Sequence, residues 1–280
     1  MKFISIITVA LTVFVATATA QTKMSCCAPT ATEKFAQTAA DKLFMLSHLN
    51  PLPFLYKSQR GHDIAFKAAD GTDAHGWEVK AKTKTNFYIF VFHEWWGLND
   101  YIKQESEKLA NDLDINVLAV DLYDNKVAAT REDASKYTQT VTTERGTALV
   151  KGAYAYAGED AKVFTIGWCF GGGWSLQAAI EGGKQVQGCI MYYGQPEKSV
   201  DRLKTLNCDV LGFFGTKDKW LNPQVVDEFK ANLKSAGKKG SIYEYEADHA
   251  FANPSNPVFD KAATADAYDK VVTFIKLRVR

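Results

Sequence analysis

The fold is decided by the stretch Thr165-Ile166-Gly167-Trp168-Cys169-Phe170-Gly171-Gly172-Gly173, where an apolar strand runs into a glycine-rich turn and then a helix. This is the G-x-S-x-G nucleophile elbow with cysteine in place of serine. So tight a turn needs small residues two before and two after the nucleophile, and Gly167 and Gly171 meet that need. The helix N-terminus beside Cys169 favours a thiolate, so we expect a lowered thiol pKa.

This turn has two other interpretations. A buried structural cysteine beside a glycine turn is the common state of an unpaired Cys. A dinucleotide or phosphate loop fits poorly, because neither G-x-G-x-x-G nor G-x-x-x-x-G-K-[ST] can be placed on residues 167–184. The stretch therefore leaves catalysis or packing as the roles of Cys169.

Around the elbow, short β-rich runs alternate with helical stretches, and the most apolar runs are typical of strands covered on both faces. This predicts an α/β fold: a mostly parallel eight-stranded sheet with an early hairpin and helices on both faces. The predicted strands are Asp63–Phe66, Trp77–Ala81, Asn86–Phe92, Asn116–Asp121, Lys162–Trp168, Gln187–Tyr193, Asp209–Phe214 and Ser241–Glu246. The predicted helices are Glu33–Leu49, Asp100–Leu113, Arg131–Ala157, Gly172–Ile180, Pro223–Ala236 and Ala262–Arg278.

Composition excludes several classes of protein. The 280 residues are 46% apolar and 23% charged, which is typical of a globular chain and not of a disordered one. The 33 basic and 32 acidic side chains nearly cancel, so no overall field favours nucleic acid as a partner. A small molecule is the expected partner, and the sequence does not indicate an oligomeric state.

The N-terminus predicts export. Lys2, an apolar run to Val15 and a small-residue stretch ending at Ala20 are typical of a signal peptide over residues 1–20, hence of a secreted or periplasmic protein. A membrane anchor is the alternative, but the run is short for a span. A tether and helix would follow over residues 21–56, and the catalytic domain over residues 57–280.

The five cysteines are an odd number for an exported chain. Cys26 and Cys27 are open to several interpretations: a disulfide partner pair, a lipid attachment point, a soft-metal handle, or no role. We expect Cys189 and Cys208, within or just before strands, to be inert core residues.

Two further residues follow strands at the edge where such sheets collect their chemistry. Asp218 comes after the run ending at Phe214, and His249 after the run ending at Glu246. The order Cys169, Asp218, His249 is nucleophile, acid and base, as in α/β-hydrolases. Asp248 adjoins His249 and would point to the opposite side, so Asp218 is the expected partner of the imidazole. The remaining histidines lack such a placement and are interpreted as structural: His48, His62 and His75.

A fourth feature is His93-Glu94-Trp95-Trp96-Gly97-Leu98-Asn99, directly after a buried strand. Gly97 stands where a zincin H-E-x-x-H motif needs its second histidine, so this is not a zinc site. The position instead predicts an oxyanion hole formed by the backbone N–H groups of Trp95 and Phe170. Glu94 is a carboxylate that could hold or accept the thiol proton, the alternative being a loop cap or solvated glutamate.

These blocks, together with His249-Ala250-Phe251-Ala252-Asn253, resemble the dienelactone hydrolase family from about Gly61 to the C-terminus. The resemblance implies an α/β-hydrolase fold and a triad of Cys169, Asp218 and His249. It also implies that Glu94 helps to deprotonate the cysteine, and that esters or lactones are hydrolysed through an acyl-thioester.

The sequence departs from that family at the substrate. The resemblance implies two arginines that hold a substrate carboxylate, but their places are taken by Asn253 and Asn125, which cannot pair with a carboxylate as a cation does. Arg131 is the nearby candidate for a replacement. We therefore expect this chain to share the reaction type of the family but not its substrate.

The sequence thus predicts an exported carboxylesterase or lactonase that needs no metal or organic cofactor. Four residues are expected to bind substrate, in a pocket suited to an apolar or flat molecule: Trp96, Tyr123, Trp220 and Asn253. The alternatives are a non-catalytic ligand-binding or thiol-sensing protein on a hydrolase scaffold, and an acyltransferase with the same triad.

Overall fold

A computed structural model describes residues 29–279, so the predicted signal peptide and the pair Cys26 and Cys27 lie outside the described residues. The strands of the described part form a single sheet. They are β1 His62–Lys67, β2 Asp73–Val79, β3 Phe87–Phe92, β4 Asn116–Val120, β5 Lys162–Trp168, β6 Val186–Tyr192, β7 Val210–Gly215 and β8 Gly240–Tyr245.

The sheet is mostly parallel, as predicted. Its order is β1-β2-β4-β3-β5-β6-β7-β8, with β1 and β2 forming the early antiparallel hairpin and β2 also antiparallel to β4. The remaining neighbours pair in parallel. Because β3 lies between β4 and β5, the loops after β3 and β5 leave the same edge side by side, where α/β proteins place their sites.

Helices pack on both faces of the sheet, so this is the predicted α/β-hydrolase architecture. One pair, α3 and α9, packs together, as do α5 and α6. The helices are α1 Ala31–Ala39, α2 Lys42–Ser47, α3 Asp100–Leu113, α4 Arg131–Thr140, α5 Thr143–Ala157, α6 Phe170–Glu181, α7 Val200–Lys204, α8 Pro223–Ser235 and α9 Lys261–Lys276.

Two predicted helices are each divided in the structure. The predicted helix Arg131–Ala157 is α4 and α5, because the Thr142 hydroxyl accepts the N–H of Arg145 and starts a new helix. The predicted helix Glu33–Leu49 is α1 and α2, because the Asp41 carboxylate accepts the N–H groups of Leu43 and Phe44.

The second break decides which side of α2 faces the protein. The apolar spacing of Phe35, Ala39, Leu43 and Leu46 predicts a single helix with one buried face, but Leu43 and Leu46 are 72% and 54% exposed. Phe44 and His48, the residue that follows the end of α2, are buried instead. The change of axis after Ala39 therefore turns an aromatic side chain and an imidazole inward.

The α1–α2 segment is docked on α4. The Arg131 guanidinium donates to the Met45 carbonyl oxygen at 3.3 Å, and the Arg131 N–H donates to Asn50 Oδ1 at 3.2 Å. The division into residues 21–56 and a domain from residue 57 stays a prediction. Across residues 29–279, every helix is too short or too polar to cross a membrane.

Candidate active site

Cys169 lies in the turn between β5 and α6, as the elbow pattern predicts. Its backbone has φ 55° and ψ −116°, a conformation that is costly for a residue with a side chain. Two glycines let the chain turn this tightly. A methyl group on Gly167 would overlap the carbonyl oxygen of Gly171, and one on Gly171 would overlap that of Phe92.

The structure brings the three predicted triad residues together. His249 Nε2 lies 3.3 Å from Cys169 Sγ, and His249 Nδ1 lies 2.5 Å from Asp218 Oδ2. Because an ionised carboxylate only accepts hydrogen bonds, Nδ1 carries a proton and Nε2 faces the thiol. Asp218 Oδ1 is fixed by the N–H groups of Trp220 and Leu221, at 2.8 and 2.9 Å.

The electrostatics favour a charged acid and base pair. Burial favours the neutral imidazole, but the Asp218 carboxylate and Cys169 oppose it and raise the pKa of His249 well above its usual value. Burial likewise acts to raise the pKa of Asp218, yet its partners, His249 and two N–H groups, hold that pKa below the ordinary range. Asp218 can therefore stabilise an imidazolium at His249.

The pKa of the Cys169 thiol differs from the expectation. Burial raises the pKa of Cys169 above its ordinary value, although His249 and a hydrogen bond from the Phe170 N–H both act to lower it. The helix N-terminus favours the thiolate, but the side chains that cover the sulfur leave Cys169 only 2% exposed, and the local sequence pattern does not contain them. One proton is therefore shared between Cys169 Sγ and His249 Nε2: burial favours its position on sulfur, and removal of the cover favours the thiolate and imidazolium pair.

Phe44 of α2 and His48, the residue after it, form the cover over Cys169. Phe44 packs edge-on against Trp95 and Trp220, with ring centroids 5.2 and 5.0 Å away, and its ring is 5.8 Å from that of His249. The His48 ring is 5.3 Å from that of His249. These aromatic side chains enclose the reacting groups.

His48 is a site residue that sequence reasoning missed, since it was interpreted as structural. Burial and the neighbouring His249 lower the pKa of His48 to about 3, so its imidazole is neutral. Its Nδ1–H donates to the Phe44 carbonyl oxygen at 2.7 Å, which leaves Nε2 as the nitrogen with the lone pair. The four-residue spacing of Phe44 and His48 was the signal that could have found it.

Glu94, at the end of β3, is buried beside this cluster. Burial raises the pKa of Glu94 to about 7, so the carboxyl is poised between its two forms at neutral pH. One oxygen accepts the Tyr193 hydroxyl at 3.3 Å, and the other accepts the Asn253 amide. Both carboxyl oxygens thus have partners other than the thiol.

The loop that carries Trp95 is held by side chains on the β4 side. His93 Nδ1–H donates to the Glu94 carbonyl oxygen at 2.6 Å, and His93 Nε2 accepts the Leu122 N–H at 3.1 Å. The Tyr123 hydroxyl donates to the Trp95 carbonyl oxygen at 3.2 Å. These bonds fix the backbone of the predicted oxyanion loop, while the oxyanion roles of Phe170 and Trp95 stay predictions.

The four predicted substrate residues have different surroundings. Trp96 and Tyr123 are buried, and the Tyr123 hydroxyl is also 2.7 Å from Thr138 Oγ1. Asn253 is occupied by Glu94 and by Ser255, whose hydroxyl donates to Asn253 Oδ1 at 2.7 Å. Trp220 is partly exposed, with its ring 6.2 Å from that of His249. Substrate contact at these positions stays a prediction.

A cavity of about 90 Å³ reaches Glu94 from the side of α3 and α9. Its walls include Trp168, Tyr192, Asn253 and Tyr268, but not Cys169. The cavity is large enough for ordered water beside Glu94.

Arg131, the candidate replacement for a carboxylate-binding arginine, directs its guanidinium to the Met45 carbonyl oxygen of α2.

The two remaining cysteines of the described part are free and lie apart from this cluster. Cys189 is fully buried in β6, and burial raises its pKa to about 11. Cys208 is half-buried, and burial raises its pKa above the ordinary range as well. Both have the properties expected of unreactive thiols.

Comparison with known proteins gives a consistent result. The model of the dienelactone hydrolase family matches residues 77–278. Carboxymethylenebutenolidase of Pseudomonas sp. strain P51 is 30% identical over 142 residues, covering 48% of this chain and 57% of that protein. Carboxymethylenebutenolidase 1 of Cupriavidus pinatubonensis is 26% identical over 216 residues, covering 71% and 89%.

The fold is also found in solved structures. A dienelactone hydrolase-like promiscuous phosphotriesterase from metagenomic libraries superposes with a TM-score of 0.69 at 20% sequence identity. The alignment covers 78% of this chain and 99% of that chain.

Proposed function

Because the chain belongs to the dienelactone hydrolase family and is an ester-hydrolysing enzyme, we propose that it cleaves a carboxylic ester or lactone through Cys169, His249 and Asp218. One observation carries the proposal. A single imidazole lies 3.3 Å from the thiol sulfur and 2.5 Å from a buried carboxylate oxygen. This is the geometry of an activated nucleophile with its oriented base.

In the acylation step His249 Nε2 accepts the thiol proton as Cys169 Sγ attacks the carbonyl carbon. The carbon–sulfur bond forms, and the carbonyl electrons move to an oxyanion that the Phe170 and Trp95 N–H groups would stabilise. When the carbon–oxygen bond breaks, His249 gives its proton to the leaving alkoxide. Asp218 keeps Nε2 directed at the sulfur and stabilises the imidazolium throughout.

In the second step His249 accepts a proton from water, whose oxygen attacks the thioester. The carbon–sulfur bond breaks, the acid leaves, and the sulfur regains its proton from His249. Glu94, with its pKa raised to about 7 by burial, is suited to exchange a proton in this site, and the cavity beside it offers room for water.

The substrate class follows from the walls of the site. Aromatic rings of Phe44, Trp95 and Trp220 surround the reacting groups, and the Asn253 amide is bound to Glu94. We therefore expect neutral, apolar acyl groups rather than acyl groups that carry a carboxylate. Paired esters that differ only in a terminal carboxylate measure this directly, and a preference for the charged member would contradict it.

The nucleophile is tested with a chromogenic aryl ester. Cys169→Ala should lower the turnover rate by a factor of about a thousand or more, as removal of a triad member does. Cys189→Ala, the matched loss of a buried thiol outside the site, should retain most of the rate. Acid quenching of the native enzyme during turnover should give an acyl adduct on the Cys169 peptide. A near-native rate for Cys169→Ala excludes the mechanism, and product analysis with an added alcohol separates hydrolysis from acyl transfer.

Export is a separate part of the proposal and rests on residues 1–20 alone. N-terminal sequencing of the protein recovered from the medium or periplasm should begin at Gln21. Recovery of a chain that retains Met1 would contradict both the cleavage and the secreted or periplasmic location.

A further inference from the structure

We propose that His48, Cys169 and His249 form a binding site for a thiophilic divalent cation of the zinc class, which fastens α2 onto the triad and inactivates it. The three ligand atoms, one from each side chain, lie within 4.8 Å of one another, and all three residues are buried. His48 comes from a segment upstream of residues 77–278, the part that the family model matches. The cluster therefore joins two residues inside the matched region to one residue outside it.

The ligand types suit zinc. Thiolate sulfur and imidazole nitrogen are both ordinary zinc ligands, and three protein ligands leave a fourth position open. A tetrahedral zinc ion with ordinary bond lengths holds its ligand atoms roughly 3.3–3.6 Å apart. Cys169 Sγ and His249 Nε2 already lie 3.3 Å apart, and the His48 ligand atom, within 4.8 Å of both, would need to move inward by roughly 1.5 Å at most.

Both imidazoles are oriented as zinc ligands usually are. A metal-binding histidine typically donates its other ring N–H to a carboxylate or a backbone carbonyl, which fixes the ring and its tautomer. His249 donates Nδ1–H to Asp218, and His48 donates Nδ1–H to the Phe44 carbonyl oxygen. Each ring thereby keeps Nε2 for the metal, and in His249 this nitrogen lies 3.3 Å from Cys169 Sγ.

The charges balance in the buried site. A divalent cation, the Cys169 thiolate and the Asp218 carboxylate sum to zero, so the ion leaves no net charge under α2. Binding releases one proton, whether it is initially on the thiol or on His249 Nε2. The Trp95 ring lies 5.0 Å from that of His48, and its indole N–H has no partner among the described residues. An unpartnered donor therefore lies on a ring that packs against one of the proposed ligands.

The test uses Co²⁺ as a spectroscopic substitute for Zn²⁺ on the full chain. Co²⁺ should bind with a thiolate-to-cobalt charge-transfer absorption, and Zn²⁺ should displace it. His48→Gln should raise the dissociation constant for Co²⁺ by about 100-fold or more. His62→Gln, at an exposed histidine of β1, is the matched control and should bind as the native protein does. Cys169→Ala should lose the charge-transfer band, and a band of native strength in this variant would overturn the proposal.

His48→Cys restores a ligand and should recover tight binding with a stronger thiolate band, which a purely structural role of His48 would not give. Unchanged cobalt affinity and spectrum in His48→Gln would overturn the proposal, as would failure of the native protein to bind either ion. This outcome is independent of the proposed function. Esterase activity without cobalt binding refutes only the metal site, and cobalt binding without esterase activity refutes only the hydrolase mechanism.

Discussion

Removal of the Phe44 ring should expose the nucleophile. Phe44 is 1% exposed, and its ring packs against Trp95, Trp220 and His48 beneath α2. Truncation of a buried Phe to Ala typically costs about 3–5 kcal/mol. We compare the state in which α2 covers Cys169 with a state in which α2 has moved away. If about 1.5–3 kcal/mol of this stabilisation is lost from the covered state alone, the uncovered state becomes about 10- to 100-fold more populated, at 1.36 kcal/mol per factor of ten.

The assay is the rate of alkylation of Cys169 by iodoacetamide, followed by peptide mass spectrometry, because alkylation needs an accessible thiolate. Phe44→Ala should accelerate it 10- to 100-fold. Leu43→Ala, on the exposed side of the same helix, is the control and should leave the rate unchanged. An acceleration below about threefold in Phe44→Ala would show that α2 does not limit access, and the reasoning about the cover would be wrong.

Three further outcomes are expected. Asp218→Asn should lower kcat by about 10⁴-fold with little loss of structure, because His249 loses its enforced tautomer; a loss under tenfold contradicts that role. Glu94 has a pKa raised from 4.5 to about 7, so its contribution to stability is complete below pH 4.5 and is lost as the pH rises through 7. As the pH rises from 4.5 to 7, denaturant titrations should therefore show the free energy of unfolding of Glu94→Gln increasing by about 3 kcal/mol relative to that of the native protein. Parallel curves of unfolding free energy against pH would contradict the assigned burial. Gly171→Ala should lower the thermal midpoint sharply, since its methyl group meets the Phe92 carbonyl oxygen, whereas an unchanged midpoint would mean that the turn relaxes freely.

Much of the site could be predicted from sequence, because its parts are attached to strand ends. The runs that precede Cys169, Asp218 and His249 are local patterns, and the parallel sheet brings their carboxyl ends to one edge. The order of these three residues along the chain then indicates which is the nucleophile, which the acid and which the base. The geometry agrees: Asp218, rather than Asp248, holds the imidazole.

The cover could not be predicted in the same way. The apolar spacing Phe35, Ala39, Leu43, Leu46 fits one continuous helix, and only the Asp41 cap turns Phe44 and His48 inward. Local periodicity contains no information about such a change of axis. The pKa of Cys169 was missed for the same reason, since its burial depends on side chains more than 100 residues away in the chain.

The position of Phe44 and His48 upstream of residues 77–278 bears on how such an enzyme diversifies. Substitutions at these two positions change the rings packed against His249 and leave Cys169, Asp218 and His249 themselves unchanged. Selection can thus act on selectivity and on chemistry through separate stretches of the gene.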